Sequence, residues 1–324
     1  MSRRSCLAGL AAAFTSLALL AAMPARAAWP ERPVQIVVPF GPGGGTDLTA
    51  RLLGRFLERH TGGRPVVVQN RAGAGGEIGM TAVADAAPDG HTLVILNTPN
   101  VLTIPIERAA RFRLDSFVPI ANIVDDPGTL SVHSSSPIRS IAELVASAKA
   151  RPGMLTYGTA GVGSAGHIAM LLVGRSAGIS GTHVPFNGSA AVATALAGQQ
   201  IEVATANFGE AIGFAGAGGN WRILGVMGPA RMASHPDIPT FAEAGIPVQT
   251  GSLRGLGAPR GTPPETIAAI TTALDAVMAD PDYRAAMTQA TQVIRYVKGA
   301  EYQALLRGME ADLRSLFAAT PWNR

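Results

Sequence analysis

Three times in this chain a β-branched apolar run ends in a cluster of glycines that opens directly into a helical pattern. The first cluster is Gly41-Pro42-Gly43-Gly44-Gly45-Thr46-Asp47, after the strand-like Val34–Pro39 and before an amphipathic stretch reaching Leu57. The second is Asn70-Arg71-Ala72-Gly73-Ala74-Gly75-Gly76-Glu77-Ile78-Gly79, after Val66–Gln69. The third runs from Tyr157 through Gly161, Gly163 and Gly166 to His167, ahead of a helix containing Ile168 to Val173. A turn of this kind aims the unpaired N–H groups and the partial positive charge of a helix start at whatever lies in front of it. Glycine lets the backbone come close to a ligand with no Cβ in the way. Three such helix starts around one cleft can hold an anion with almost no cationic side chains, each contributing about 0.3–2 kcal/mol of charge stabilisation.

The rest of the chain keeps the same alternation. Thr92–Leu96, Leu155–Gly158, Ile201–Thr205 and Ile223–Met227 read as further short apolar strands, with apolar residues at helical spacing between them. That pattern predicts α/β layers with largely parallel sheets. Ser140/Glu143, Thr240/Glu243 and Thr262/Glu265 have capping-box spacing, the last with Pro263 at the expected first helical position. From Pro264 onward the chain reads as mostly helical, broken at Asp280-Pro281-Asp282. Two segments look like crossings between lobes: Ile123–Gly128, between two strand-like segments, and Thr250–Pro259. If both cross, 28–124 and 253–324 form one discontinuous lobe and 125–252 the other, with a ligand cleft between them.

At the N-terminus, Arg3 and Arg4 precede an uncharged stretch from Cys6 to Met23 and a small-x-small site at Ala25-Arg26-Ala27. This is a secretory signal peptide, residues 1–27, with cleavage expected after Ala27. Its removal takes three arginines and no acid, so the formal net charge falls from +4 to about +1. Only two lysines are present, Lys149 and Lys298, and no basic run is interleaved with aromatics, so nucleic-acid binding is not expected. The single cysteine, Cys6, lies in the signal, so the exported chain has neither disulfide nor thiol chemistry.

Several chemistries fail on their motifs. The first turn lacks the Lys-Ser/Thr of a P-loop. The third contains G-x-G-x-x-G, but no acid follows in Thr182–Asn187 to take a ribose, so no dinucleotide cofactor is expected. Gly163-Ser164-Ala165-Gly166 resembles a nucleophile elbow but has Val162 where glycine is needed. No H-E-x-x-H occurs and the six histidines are scattered, so neither a metal nor a cofactor is expected. His167 and His183 read as hydrogen-bonded structural residues, and Asp47 as a helix cap.

The segments PVQIVVPFGPGGGTDLTARLL, VVVQNRAGAGGEIGMTAVADAAPDGHTL, LTYGTAGVGSAGHIA, THVPFNGSAAVATALAGQQIEV, DIPTFAEAGIP and LGAPRGTPPE follow in this order over nearly the whole exported chain. In them the chain resembles the periplasmic receptors of tripartite tricarboxylate transporters, the Bug family of solute-binding proteins. The resemblance implies an α/β, type II periplasmic-binding-protein fold of two lobes around a cleft. It also implies capture of a small organic carboxylate for delivery to membrane permease subunits. By position it assigns ligand contacts to Phe40, Gly43, Gly44, Thr46, Asp47, Ala74, Gly75, Gly76 and Thr98 in the near lobe. The far lobe would add Thr159, Ser164, Asn187 and Asn207. The family often has lysine, an acid and tryptophan where Asn187, Asn207 and Arg254 stand, so the far end of this pocket differs in character.

The expectation is therefore an exported, monomeric, periplasmic receptor without catalysis. Two rivals are a sensory receptor for the same ligands and an exported α/β hydrolase using Ser164. The proposed ligand contact is a carboxylate met by backbone N–H groups and water at Gly43–Asp47 and Ala74–Gly76, with no arginine or lysine pointing inward apart from Arg71.

Overall fold

A computed structural model describes residues 29–322 except 217 and 219. The signal peptide at 1–27 and its cleavage site lie outside the described residues. Strand β1 (Val34–Val38) is flanked by β2 (Val66–Asn70) and β3 (Thr92–Asn97), both parallel to it, with Val34 opposite Val66 and Ile36 opposite Leu93. Helices α1 (Gly45–Leu57) and α2 (Glu77–Ala84) make the crossovers, and α3 (Asn100–Glu107) follows β3. Val34, Ile36 and Val38 alternate onto one face of the sheet and bury against Ala50, Leu53, Phe56 and Leu57 of α1. These four sit at helical spacing on one stripe, which is why the amphipathic pattern folds down here.

Strand β4 (Phe117–His133) runs 17 residues through the centre of the molecule. Its first part pairs antiparallel with β9 (Gly251–Pro259) and with β10 (Ile294–Lys298). From Gly128 onward it pairs instead with β7 (Val203–Asn207) and from Thr129 with β8 (Trp221–Val226). Strand β7 in turn lies parallel to β5 (Leu155–Thr159), and β5 to β6 (Gly181–Pro185). The strand order β2-β1-β3-β9-β4-β7-β5-β6 thus changes partners half-way along β4. Around the second set pack α4 (Ile141–Ala150), α5 (Ala165–Ala177), α6 (Ser189–Ala197) and α7 (Phe208–Gly216), over their own apolar clusters. Helices α8 (Pro264–Ala279), α9 (Pro281–Gln289) and α10 (Gly299–Ala319) return to the first set. The result is two α/β lobes joined by β4 and β9.

Several sequence expectations are corrected. Ile123–Gly128 does not separate two strands; it lies inside β4. Its acids are accommodated in the ladder, where Asp126 pairs with Arg254 and Asp125 with Arg295. The sheets are mixed, because β9, β10 and β8 all run antiparallel to β4. Strands β6 and β10 were not foreseen, both half-exposed edges with little periodic signal. Ser140 caps α4 as expected, but Thr240 and Glu243 close a turn and no helix. Helix α8 begins at Pro264 with Pro263 as its cap residue, one position later than expected.

The long strand crossing depends on close approach at Gly255. A Cβ there would lie 2.3 Å from the hydroxyl of buried Tyr302 and 2.6 Å from the Ala121 carbonyl oxygen. Gly255→Ala is expected to lower stability by about 1–3 kcal/mol, the range for overpacking a dense core. Urea unfolding followed by circular dichroism measures it; an unchanged midpoint would show that α10 moves aside freely.

Candidate functional site

Between the lobes lies a cavity of about 60 Å³. Phe40, Thr46, Asn97 and Asn100 line it from the first lobe, and Ser164, Asn187, Ser189, Asn207 and Glu210 from the second. Ser252 and Arg254 of the crossing strand β9 complete it. The lobes touch around this space. Gly45 N–H donates to Glu210 Oε1 at 2.7 Å, and Thr103 Oγ1 donates to the Gly163 carbonyl at 2.8 Å. The second glycine turn meets the third so closely that a Cβ on Gly161 would sit 3.6 Å from Gly75 Cα.

At the base of the cavity is a buried ion pair. Arg254 Nη1 lies 2.6 Å from Asp126 Oδ2, with side-chain exposures of 1% and 0%. Burial pushes the Asp126 carboxyl up from its ordinary value, Arg254 pulls it back, and Glu210 adds to the upward push. Asp126 Oδ1 also accepts from Gly209 N–H at the start of α7. Arg254 Nη1 is 3.5 Å from Gln292 Oε1, and that oxygen accepts from Thr49 Oγ1 of α1. Arg254 Nε has no partner among the described residues. The guanidinium stacks against the start of α1, where a Cβ on Gly45 would come within 2.6 Å of Nη2.

The first glycine turn is braced from within. Asp47 Oδ2 accepts from Gly43 N–H, and Asp47 also bonds Arg51 and Asn70. Burial opposes its charge, but Arg51, the Gly43 amide and Asn70 together hold the carboxyl below its ordinary value. Thr46 Oγ1 donates to Asn97 Oδ1, Asn97 Nδ2 lies 3.5 Å from Asn100 Oδ1, and Asn100 Nδ2 donates to the Gly75 carbonyl. This polar chain ties the first turn to the second. The second turn takes its shape from Gly75 and Gly76, at φ values of 71° and 109° that favour glycine.

Under the third turn lie two stacked imidazoles. His167 and His183 have ring centroids 3.8 Å apart. Gly163 N–H donates to His167 Nδ1, and His183 Nε2 is 2.7 Å from Thr159 Oγ1. Burial, with His183 adding repulsion, pushes His167 down to about 3, and burial pushes His183 down to about 4. Both rings are neutral at neutral pH. Ser164 caps α5, its Oγ accepting from His167 N–H.

Of the residues singled out in the sequence, Phe40, Gly44, Thr46, Ser164, Asn187 and Asn207 come together on the cavity wall. Gly43 and Asp47 sit behind it as the brace just described. Ala74, Gly75 and Gly76 form the second turn beyond Asn100 and are not among the lining residues. Thr98 is fully buried, exchanging hydrogen bonds with Leu253 of β9, and Thr159 is fully buried against Gly161 and His183. Sequence reasoning did not find Asn97, Asn100, Ser189, Ser252 or Glu210. It took Arg254 for a departure from a family pattern and not for a cation in the cleft; Arg71, named instead, is exposed. Among the described residues no group of His, Cys, Asp or Glu is placed to hold a metal ion, and no helix is long and apolar enough to cross a membrane.

Residues 50–309 match the model of the tripartite tricarboxylate transporter family receptor. The chain belongs to this receptor family. BugT of Bordetella pertussis is 34% identical over 258 residues, covering 78% of each chain. The structure of the periplasmic binding protein BugD superposes with a TM-score of 0.83 at 29% identity, covering 91% of this chain and 99% of BugD. Rpa4515 of R. palustris, solved with adipate, gives a TM-score of 0.82 at 32% identity over 90% of this chain and 96% of that one. The two-lobed architecture is therefore the periplasmic-binding-protein fold of this family, whose members are solute-binding receptors.

Two outcomes follow for stability. Arg254→Met leaves Asp126 buried without its partner and should cost about 3–5 kcal/mol, whereas Arg254→Met with Asp126→Leu should recover most of that loss. Equal losses in the single and double variants, read from urea midpoints, would deny the pair its role. For the histidines, the unfolded chain takes up protons below the ordinary value of 6.5 while the folded rings refuse them down to about 4 and 3. Stability should be full above pH 6.5, fall as the pH drops below it, and level off beneath the folded values. Between pH 7 and 5 the loss is on the order of 1–2 kcal/mol per ring. His183→Gln should flatten this slope, and an unaltered slope would place the pH dependence elsewhere.

Proposed function

We propose that this protein is a periplasmic receptor that captures a small organic carboxylate between its lobes and hands it to the membrane permease of a tripartite transporter. The observation that carries the reading is a cavity lined from both lobes by hydroxyls, carboxamides, helix starts and one buried guanidinium, in a chain of a receptor family. The related Rpa4515 holds adipate, a carboxylate at each end of an aliphatic chain. In this chain the ligand carboxylate is met by backbone N–H groups and water at the near-lobe turns, including Ala74–Gly76, with Ser164, Asn187 and Asn207 on the far side. Water suits this contact, since a bridged hydrogen bond is nearly as favourable as a direct one. Micromolar affinity corresponds to about −8.2 kcal/mol, more than one helix start contributes, so both lobes take part.

Nothing chemical is done to the ligand. Ser164 Oγ faces a backbone amide of its own helix, and the nearest imidazole accepts from Gly163 N–H while stacked on a second ring. We place the lobe boundaries near 124/125 and 252/253, where β4 and β9 pass between the two sets of strands, and assign closure to these crossings. The exported form begins at Ala28 and works as a monomer.

Native mass spectrometry of periplasmic material should show the chain starting at Ala28, and a thermal-shift panel of organic acids should raise its melting temperature. Titration calorimetry with the best acid, then with its uncharged amide, should show binding only for the acid. Small-angle scattering should give a smaller radius of gyration with ligand than without. Tight binding of the amide alone, or no response to any carboxylate by folded protein, would overturn the reading.

A further inference from the structure

The first glycine turn already has a carboxylate in front of it, and it belongs to the protein. Glu210 Oε1 accepts from Gly45 N–H at 2.7 Å and from Ser189 Oγ at 2.8 Å, with Arg254 Nη2 at 3.6 Å. Its other oxygen accepts one bond, from Asn207 N–H. Glu210 lines the cavity, and with Asp126 it sets two carboxylates against the one guanidinium of Arg254. A second carboxylate on the ligand would bring another acceptor-only, negatively charged group to this end of a partly desolvated site. Arg254 offers little relief, because its Nη1 is engaged by Asp126. One bonding capacity stays open here: Glu210 Oε2 accepts one bond and can accept another. A group that donates, a hydroxyl, a carboxamide or an ammonium, meets it. A carboxylate cannot donate.

Resting on the receptor reading above, we propose that Glu210 restricts the ligand to a monocarboxylate whose far end carries a hydrogen-bond donor, and excludes dicarboxylates. Glu210 thus sets specificity by occupying the position that a second ligand carboxylate would take at the α1 N-terminus. The ligand's single carboxylate lies away from Glu210, toward the second turn. Specificity arises here as much from what the site repels as from what it attracts.

The test uses the full exported chain and matched acids of three to six carbons, ending in carboxylate, hydroxyl, carboxamide or ammonium. In the four-carbon set these are succinate, 4-hydroxybutyrate, succinamate and 4-aminobutyrate. Calorimetry on the wild type should show a donor-ended member of the best-fitting length binding at least tenfold more tightly than the dicarboxylate. Glu210→Gln, which keeps shape and removes charge, should narrow that ratio or reverse it. A dicarboxylate that binds wild type as well as its donor-ended partners overturns the inference and leaves the receptor reading standing. No response from any series in folded wild type would sink the receptor reading itself. Should Glu210→Gln fail to fold, the wild-type ranking alone still decides.

Discussion

The pairing of Arg254 with Asp126 sits where the structure can least tolerate its loss. Arg254 is on β9 and Asp126 on β4, the two strands that pass between the lobes, and both are almost wholly buried. Asp126 also anchors the first turn of α7, while Arg254 packs on the first residue of α1 and reaches Gln292, itself bonded to Thr49. One ion pair therefore connects both crossing strands to a helix from each lobe. A buried pair of this kind is a poor source of net stability, because desolvating two charges costs about as much as their attraction returns. Its effect is to position: an unpaired charge here is so costly that alternative registers of β4 on β9 are disfavoured.

Around that pair, three glycine turns are used differently. The first faces a carboxylate from the opposite lobe, the second is tied to the first by Thr46, Asn97 and Asn100, and the third rests on two neutral imidazoles. A helix start will take any anion that reaches it, so which turn meets the ligand depends on which is already satisfied. Asp47 and Ser164 show the same logic on a smaller scale, each turned back to satisfy amides of its own turn. The polar part of the cavity wall is then supplied mostly by side-chain amides and hydroxyls, set among small apolar residues.

Much of this was legible in the sequence where the signal is local. The glycine turns, the strands leading into them and the start of α4 at Ser140 all follow from neighbours a few residues apart, and the structure has them. The long β4 strand was not legible, because Pro127 and paired acids argue for a break and only distant Arg254 and Arg295 neutralise those acids. Edge strands β6 and β10 lack a buried face with a clear period. In the cleft, Phe40, Thr46, Ser164, Asn187 and Asn207 were reached through the family resemblance, which assigns them by position, and they line the cavity. Glu210 was not reached, nor Arg254 as a cation in the cleft. Their neighbours in space lie 165 and 128 residues away in the chain, at Gly45 and Asp126.

The bond from Gly45 to Glu210 has a further consequence. It spans the cleft, so the protein itself supplies part of what holds its lobes together. Each 1.4 kcal/mol that such ties give the shut form raises its share tenfold relative to the open one. In a receptor whose lobes open to load, a tie of this kind favours holding a bound molecule over admitting the next one. Retention and entry are then governed in opposite directions by the same few hydrogen bonds, and speed of loading is exchanged for length of stay.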